Sequence, residues 1–333
     1  MSQNTEALDA AGLIYLAELA KEGPTSHRFA NALVKSPFRR SLADIGVIQR
    51  HRPLFHLRPD REMLVSSESL ANPKSLAGLK HVARFFKRLD LKPRSAMFVR
   101  NQVDQLSSHF AQRARSLRCT DDFTAHLTEL HLQQANWNLQ YQRHKTMGFE
   151  PRFGVFRGQA GRPIAEALFT LLGLRDRFAQ NVDFGFREMN ASVGEITVLA
   201  GVTLARHLAQ SGVQLRSKTQ GEIRGYFNEG SALIPEGKFV GPSLSDRERI
   251  RAYFATSNRA LAKVLSPEDY DELVTERLPL DQEASPRTWE EMSPHQRDMF
   301  DTVIAHIQSR IRNSPGHSAL FPPELLSQKL RPN

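Results

Sequence analysis

Arg100 and Ser108 are two residues whose types and spacing could bind an anion. A guanidinium group presents a planar fork of N–H donors that matches the oxygens of a phosphate, and a serine hydroxyl adds one more hydrogen bond. The two residues could therefore hold one phosphate together. The alternative is structural, with Arg100 paired to a local carboxylate such as Asp104 and Ser108 serving only as a helix residue.

The hydrophobic pattern around Arg100 predicts a junction between a strand and a helix. Residues 96–99 form a short apolar run, which is typical of a buried strand. From Val103 to Leu117 the apolar residues recur every three or four positions, which is typical of one face of a helix. In open parallel sheets, anionic ligands bind at such junctions, because the backbone N–H groups and the dipole of the helix favour negative charge.

Four segments of the chain resemble sulfotransferases of the bacterial carbohydrate type, which use 3′-phosphoadenosine 5′-phosphosulfate (PAPS). The segment RNQVDQLSS at 100–108 resembles the one that holds the 3′-phosphate of PAPS. MLVSSESL at 63–70 resembles the end of their "SSE" strand, FREMNAS at 186–192 their "R.N.S" segment, and FATSNRALA at 254–262 a late helix. The order and separation of these segments fit the family over most of residues 1 to about 265.

This resemblance implies a role for each of six residues. Arg100 and Ser108 would bind the 3′-phosphate of PAPS, which is a co-substrate, and no metal is implied. Glu68 would be the catalytic base that accepts the proton of the acceptor hydroxyl. Further donors around the nucleotide would come from Arg187, Asn190 and Ser192.

The proposed base and the extra donors also have structural alternatives. Ser67 or Ser69 could cap the helix that follows. The negative charge of Glu68 would then interact favourably with the positive N-terminal end of that helix. Asn190 or Ser192 could cap the next helix in the same way.

The beginning of the chain departs from the family pattern. These sulfotransferases start with a strand and a Lys-containing, Gly-rich loop that binds the 5′-phosphosulfate, whereas residues 1–16 resemble only the helix that follows. We therefore expect a helix and a turn over 4–21 and a fold truncated at its N-terminus. A sheet without its first strand would expose backbone groups, so a replacement element, an oligomer or a partner is expected to cover the edge.

The predicted fold class is α/β, with a parallel sheet flanked by helices and a helix-rich C-terminal region. The resemblance refines this to a P-loop NTPase-like sulfotransferase fold. Strands are predicted at 63–67, 96–99 and 152–156, and helices at 121–132, 136–147, 164–174, 195–210, 289–311 and from 243 onward. Residues 1–265 form the predicted sulfotransferase-like domain, and 266–333 a helical extension with a disordered, proline-containing tail.

His126, His131 and His144 lack the i, i+4 pairing and the acidic partner of a helical zinc site. We therefore interpret them as surface residues and predict no metal site.

Composition limits the class of protein and of partner. The chain has 45 Lys and Arg against 36 Asp and Glu, a net charge of +9, which attracts nucleotides, acidic sugars or nucleic acid. A single cysteine excludes an internal disulfide framework and suits a reducing compartment, so a cytoplasmic location is expected. No apolar run approaches the ~20 residues that span a bilayer.

Three functional hypotheses follow. The first is sulfuryl transfer from PAPS to a hydroxyl of a small molecule or glycan, which requires that the phosphosulfate loop be supplied upstream or replaced. The second is a non-catalytic relative that binds a nucleotide or an anionic glycan. The third is a basic nucleic-acid-binding or protein-binding module, which ranks last because the chain carries no recognised nucleic-acid motif.

Overall fold

The computed structural model describes residues 13–15, 27–35, 40–52, 62–64, 76–156, 164–178, 194–278 and 283–332. Helices predominate in these ranges, and the strands form two separate parallel pairs. This agrees with the coarse prediction of helices combined with parallel strands, and it is compatible with the α/β class.

The chain divides into two compact units, each assembled from three separate segments. The first contains 1–100, 136–187 and 256–275, and the second contains 101–135, 188–255 and 276–333. The domain boundary that the sequence suggests at residue 265 stays a prediction.

The first unit contains the strands. They are β1 (Leu13–Tyr15), β2 (Glu62–Leu64), β3 (Arg94–Val99) and β4 (Glu150–Val155). Its helices are α1 (His27–Val34), α2 (Leu42–His51), α3 (Leu76–Arg88), α7 (Trp137–Thr146), α8 (Ile164–Leu171), α9 (Arg175–Phe178) and α13 (Pro267–Val274).

The second unit is helical in its described part, apart from one isolated bridge between Gly194 and Lys238. Its helices are α4 (Gln102–Arg115), α5 (Phe123–His126), α6 (Glu129–Gln134), α10 (Glu195–Gln210), α11 (Ser217–Ser231), α14 (Pro294–Arg312), α15 (Pro315–Ser318) and α16 (Pro323–Ser327). Helix α12 (Leu244–Leu261) begins in this unit and ends in the first.

Strands β3 and β4 pair in parallel, with Arg94 opposite Glu150 and Val99 opposite Val155. The pairing extends one residue further, because the backbone N–H of Phe156 donates to the oxygen of Val99 at 2.7 Å. Both strands end in valines that are buried in one apolar cluster of the first unit. The strands predicted at 96–99 and 152–156 are thus confirmed.

Strands β1 and β2 also pair in parallel, from Leu13 opposite Glu62 to Tyr15 opposite Leu64. The predicted helix over 4–21 is therefore wrong at Leu13–Tyr15, where a short run of apolar, aromatic and β-branched residues favours a strand. The predicted strand at 63–67 is confirmed for residues 63 and 64, and 65–67 lie outside the described residues. Strand β1 covers one edge of β2. The prediction that an oligomer or a partner covers a sheet edge stays a prediction.

Helix α10 is the central element of the second unit and is buried along most of its length. The carboxylate of Glu236 stabilises its start by accepting a hydrogen bond from the backbone N–H of Thr197 at 2.8 Å. One side of the helix packs against α4 and another against α14. A Cβ on Gly201 would lie 2.6 Å from the backbone oxygen of Ala114 in α4, so the two helices approach as closely as they do only because position 201 is glycine.

Two segments differ from the sequence prediction. The single helix predicted at 121–132 is instead α5 and α6, since Leu127 leaves the helical conformation at φ −71° and ψ 59°. Asp122 and Thr128 each cap one of the two short helices. In place of the expected disordered tail, α15 and α16 follow α14, and a set of apolar residues joins the core of the second unit: Phe321, Leu325, Leu326 and Leu330.

Gly201→Ala should lower the free energy of unfolding by about 1 to 3 kcal/mol, because the added methyl group overlaps with the backbone of Ala114. The loss should appear although alanine favours a helix over glycine by up to about 1 kcal/mol. Gly221→Ala in α11 is the matched control, since nothing lies within 4 Å of an added Cβ there. That variant should gain about 0.5 to 1 kcal/mol.

Urea denaturation followed by circular dichroism measures both variants. A Gly201→Ala protein as stable as the Gly221→Ala protein would show that α4 and α10 can move apart at no cost.

Candidate functional site

Arg100 lies at the predicted junction, directly after the last residue of β3 and before Asn101, which caps α4. The Asn101 side chain accepts a hydrogen bond from the backbone N–H of Val103 at 2.8 Å. The indole of Trp137 donates to the backbone oxygen of Arg100 at 2.8 Å. These contacts hold the carbonyl of Arg100 and the start of α4 that follows it, and the side chain of Arg100 is half-buried.

Ser108 lies on α4 with an exposed side chain, so its hydroxyl is accessible to a solute. Arg100 belongs to the first unit and Ser108 to the second. Joint binding of one phosphate by these two residues stays a prediction. The other predicted site residues, Glu68, Arg187, Asn190 and Ser192, lie outside the described residues.

The interpretation of the histidines as surface residues was wrong for two of them. His126 is 5% exposed and His144 is 4% exposed, while His131 is half-buried. His126 and His131 form a cluster with His109, and one ring nitrogen from each lies within 4.8 Å of the other two. We call these three residues the histidine cluster.

Three different helices supply the histidine cluster. His109 is on α4, His126 ends α5 and His131 lies in α6. The sequence separations of 17 and 5 residues match no single-helix pattern, so periodicity did not reveal the cluster. The signal available in the sequence was the pair of capping residues, Asp122 and Thr128, which together indicate two short helices instead of one.

The rings of His126 and His131 stack, with their centroids 3.8 Å apart. The ring of His109 lies 5.7 Å from His126 and 5.5 Å from His131, again between centroids. Phe110 packs edge-on against His126 at 5.2 Å and shields it from water. The three imidazoles thus share one partly closed space within the second unit.

Burial is the main reason why two of these imidazoles resist protonation. It lowers the pKa of His109 to about 4, helped by the charge of Arg113. It lowers the pKa of His126 to about 3, helped by the neighbouring histidines. Burial also raises the pKa of the Cys119 thiol to about 11, so this cysteine is protonated at neutral pH. Neutral imidazoles are the form that binds metal ions.

Comparison of the chain with protein-family models, with curated proteins and with solved structures gives no match. In the part of the chain that the structure describes, no helix combines the length and apolar character that crossing a bilayer requires.

His144 lies apart from the histidine cluster, in the first unit. Its Nδ1 is 3.0 Å from the hydroxyl oxygen of Ser95, and its Nε2 has no hydrogen-bond partner among the described residues. Burial lowers the pKa of His144 to about 4. Between that value and about 6.5, the unfolded chain binds a proton that the folded chain does not, so folding is favoured less as the pH falls.

His144→Asn should therefore reduce the acid sensitivity of the protein. The stability that His144 contributes is complete above about pH 6.5 and is lost as the pH falls towards 4, so between pH 7.5 and 4.5 the wild type should lose roughly 2 to 3 kcal/mol more than the variant. Urea denaturation at both pH values measures this difference. His295→Asn, at an exposed position in α14, is the control and should behave like the wild type. Equal losses in all three proteins would contradict the prediction.

Proposed function

We propose that this protein is a PAPS-binding sulfotransferase-like protein that transfers a sulfuryl group to a hydroxyl of a small molecule or glycan. The proposal includes the P-loop NTPase-like sulfotransferase fold and a cytoplasmic location. One observation carries it: Arg100, the residue that the resemblance assigns to the 3′-phosphate, follows the last residue of a parallel strand and precedes a capped helix.

The position of Arg100 suits an anion for a physical reason. Carboxyl ends of parallel strands carry the ligand crevices of open α/β sheets, because the backbone N–H groups that follow them are available to an anion. The Arg100 side chain is half-buried, so its attraction for a bound phosphate is screened less by solvent than at a fully exposed position. The net charge of +9 adds a long-range attraction for a nucleotide that carries several negative charges.

The remaining residues have the roles that the resemblance implies. Ser108 adds a hydrogen bond to the 3′-phosphate, and Arg187, Asn190 and Ser192 contact the nucleotide. Glu68 accepts the proton of the acceptor hydroxyl. The hydroxyl oxygen bonds to sulfur while the bond between sulfur and the 5′-phosphate oxygen breaks. The released nucleotide is 3′-phosphoadenosine 5′-phosphate.

Arg100→Ala should weaken the binding of 3′-phosphoadenosine 5′-phosphate by about 10- to 100-fold, because a hydrogen bond between charged groups contributes about 1.5 to 3 kcal/mol. The same variant should bind adenosine 5′-phosphate as the wild type does, since that ligand lacks the 3′-phosphate. Titration calorimetry with both nucleotides measures the two effects. Arg88→Ala removes one positive charge at an exposed position in α3 and should leave both affinities unchanged.

Ser108→Ala tests the second predicted contact in the same assay. A hydrogen bond from a hydroxyl contributes about 0.5 to 1.5 kcal/mol, so the affinity for 3′-phosphoadenosine 5′-phosphate should fall about two- to tenfold. Alanine is compatible with the exposed helical position, so the variant should fold.

Absence of binding by the folded wild-type protein would overturn the proposal, as would equal losses for both nucleotides in the Arg100→Ala variant. Nucleotide binding without sulfuryl transfer to a panel of hydroxyl acceptors would favour the non-catalytic relative. Binding of duplex nucleic acid that weakens steeply with salt would favour the third hypothesis.

A further inference from the structure

We propose that His109, His126 and His131 form a binding site for one divalent transition-metal ion, for which Zn²⁺ is the best fit. The site lies within the second unit, and it is independent of the nucleotide site proposed above. Imidazole nitrogens are common ligands of zinc, and three of them leave a fourth position open in a tetrahedral shell.

The hydrogen bonds of His131 place its lone pair on a defined nitrogen. Its Nδ1 lies 2.6 Å from the backbone oxygen of His126, and since a carbonyl oxygen only accepts, Nδ1 carries the proton and donates it. The neutral ring therefore carries its lone pair on Nε2. Histidines that bind metals are oriented in this way, with one ring N–H donated to a carbonyl oxygen and the other nitrogen bound to the ion.

The same reasoning applies to His126. The thiol of Cys119 donates its single proton to the backbone oxygen of Asp121 at 3.7 Å, so its sulfur can accept from Nδ1 of His126, which lies 3.6 Å away. This leaves the lone pair of His126 on Nε2. Nε2 is buried and has no hydrogen-bond partner among the described residues, although buried polar atoms are normally paired. A bound metal ion would provide the missing partner.

The three rings must shift and tilt to bind one ion, because His126 and His131 stack with their planes 24° apart and their in-plane lone pairs have to turn towards a common point. Two nitrogens bound to one tetrahedral zinc are about 3.3 Å apart, given Zn–N bonds of 2.0 to 2.1 Å. The cluster nitrogens lie up to 4.8 Å apart, so they must approach by at most about 1.5 Å. His109 and His131 are half-buried, which allows their rings to move and an ion to enter from solvent.

The charges around the histidine cluster determine which fourth ligand would complete the coordination of the bound ion. No carboxylate belongs to the group of converging ligand atoms in the described part of the chain, so the bound ion would keep its full charge of +2. Arg113 lies close enough to influence His109 and His126 and opposes that charge. An anion or hydroxide in the fourth position would offset both charges, so we expect the ion to bind together with one such ligand.

The first experiment is a Zn²⁺ titration of the full chain, freed of any affinity tag and stripped of metal with a chelator, in competition with a chromophoric zinc indicator. The wild type should bind one Zn²⁺ per chain. His109→Gln and His131→Gln should each weaken binding at least tenfold, and the double variant should lose it. His144→Gln is the matched control, because it removes a buried histidine outside the cluster.

The half-buried positions of His109 and His131 make these variants suitable, since their replacement should not prevent folding. Circular dichroism checks this, and Zn²⁺ should raise the melting temperature of the wild type but not of the double variant. Stoichiometric binding that persists in the folded double variant, or no binding by the wild type, would overturn the proposal.

Co²⁺ provides an independent readout of the ligand set. The wild type should give the visible absorption bands of tetrahedral Co²⁺ without a sulfur-to-metal charge-transfer band, and Cys119→Ser should leave the spectrum unchanged. A charge-transfer band that disappears in Cys119→Ser would overturn the assignment of three histidines as the only side-chain ligands.

Discussion

The close packing of α10 against α4 is the contact on which the second unit depends. Helix α10 is buried along most of its length and joins two apolar clusters, one shared with α14 and the other with α4. The approach at Gly201 sets the distance between the two helices. Since α4 carries both Ser108 and His109, this contact also fixes the helix from which both proposed sites draw a residue. The same helix contact thus stabilises the core of the unit and positions a residue of each proposed site.

Much of the secondary structure could be predicted because its determinants are local. The apolar run at 96–99 marked β3, and the long apolar stretch after Gly194 marked α10 at Glu195–Gln210. Ser266 caps α13, and the following Pro267 lies at the start of the helix, as proline commonly does. In these segments the propensity of the residues and their later packing favour the same structure.

Other elements could not be predicted because they depend on distant partners. β1 forms only by pairing with β2, almost fifty residues further along the chain. The short helices α15 and α16 begin at prolines that favour disorder when composition alone is considered. Their stability comes instead from the burial of Phe321, Leu325 and Leu326 against α14. The sequence pattern of the short helices does not predict this contact.

The two candidate sites also differ in how far the sequence alone predicts them. Arg100 could be located because a strand end and a helix start are both visible in a few consecutive residues. The histidine cluster could not, because three helices bring its members together and because burial, which keeps the rings of His109 and His126 neutral, is a property of the folded chain. The orientation of His126 further depends on the thiol of Cys119.

The interleaving of the two units also bears on synthesis of the protein on the ribosome. The first unit takes its last segment from residues 256–275, after most of the second unit has been translated. Leu273, which is fully buried in the apolar cluster beside β3 and β4, is part of that late segment. The β3–β4 sheet therefore remains without part of its cover until that segment has emerged, and vectorial folding from the N-terminus cannot complete the units one after the other.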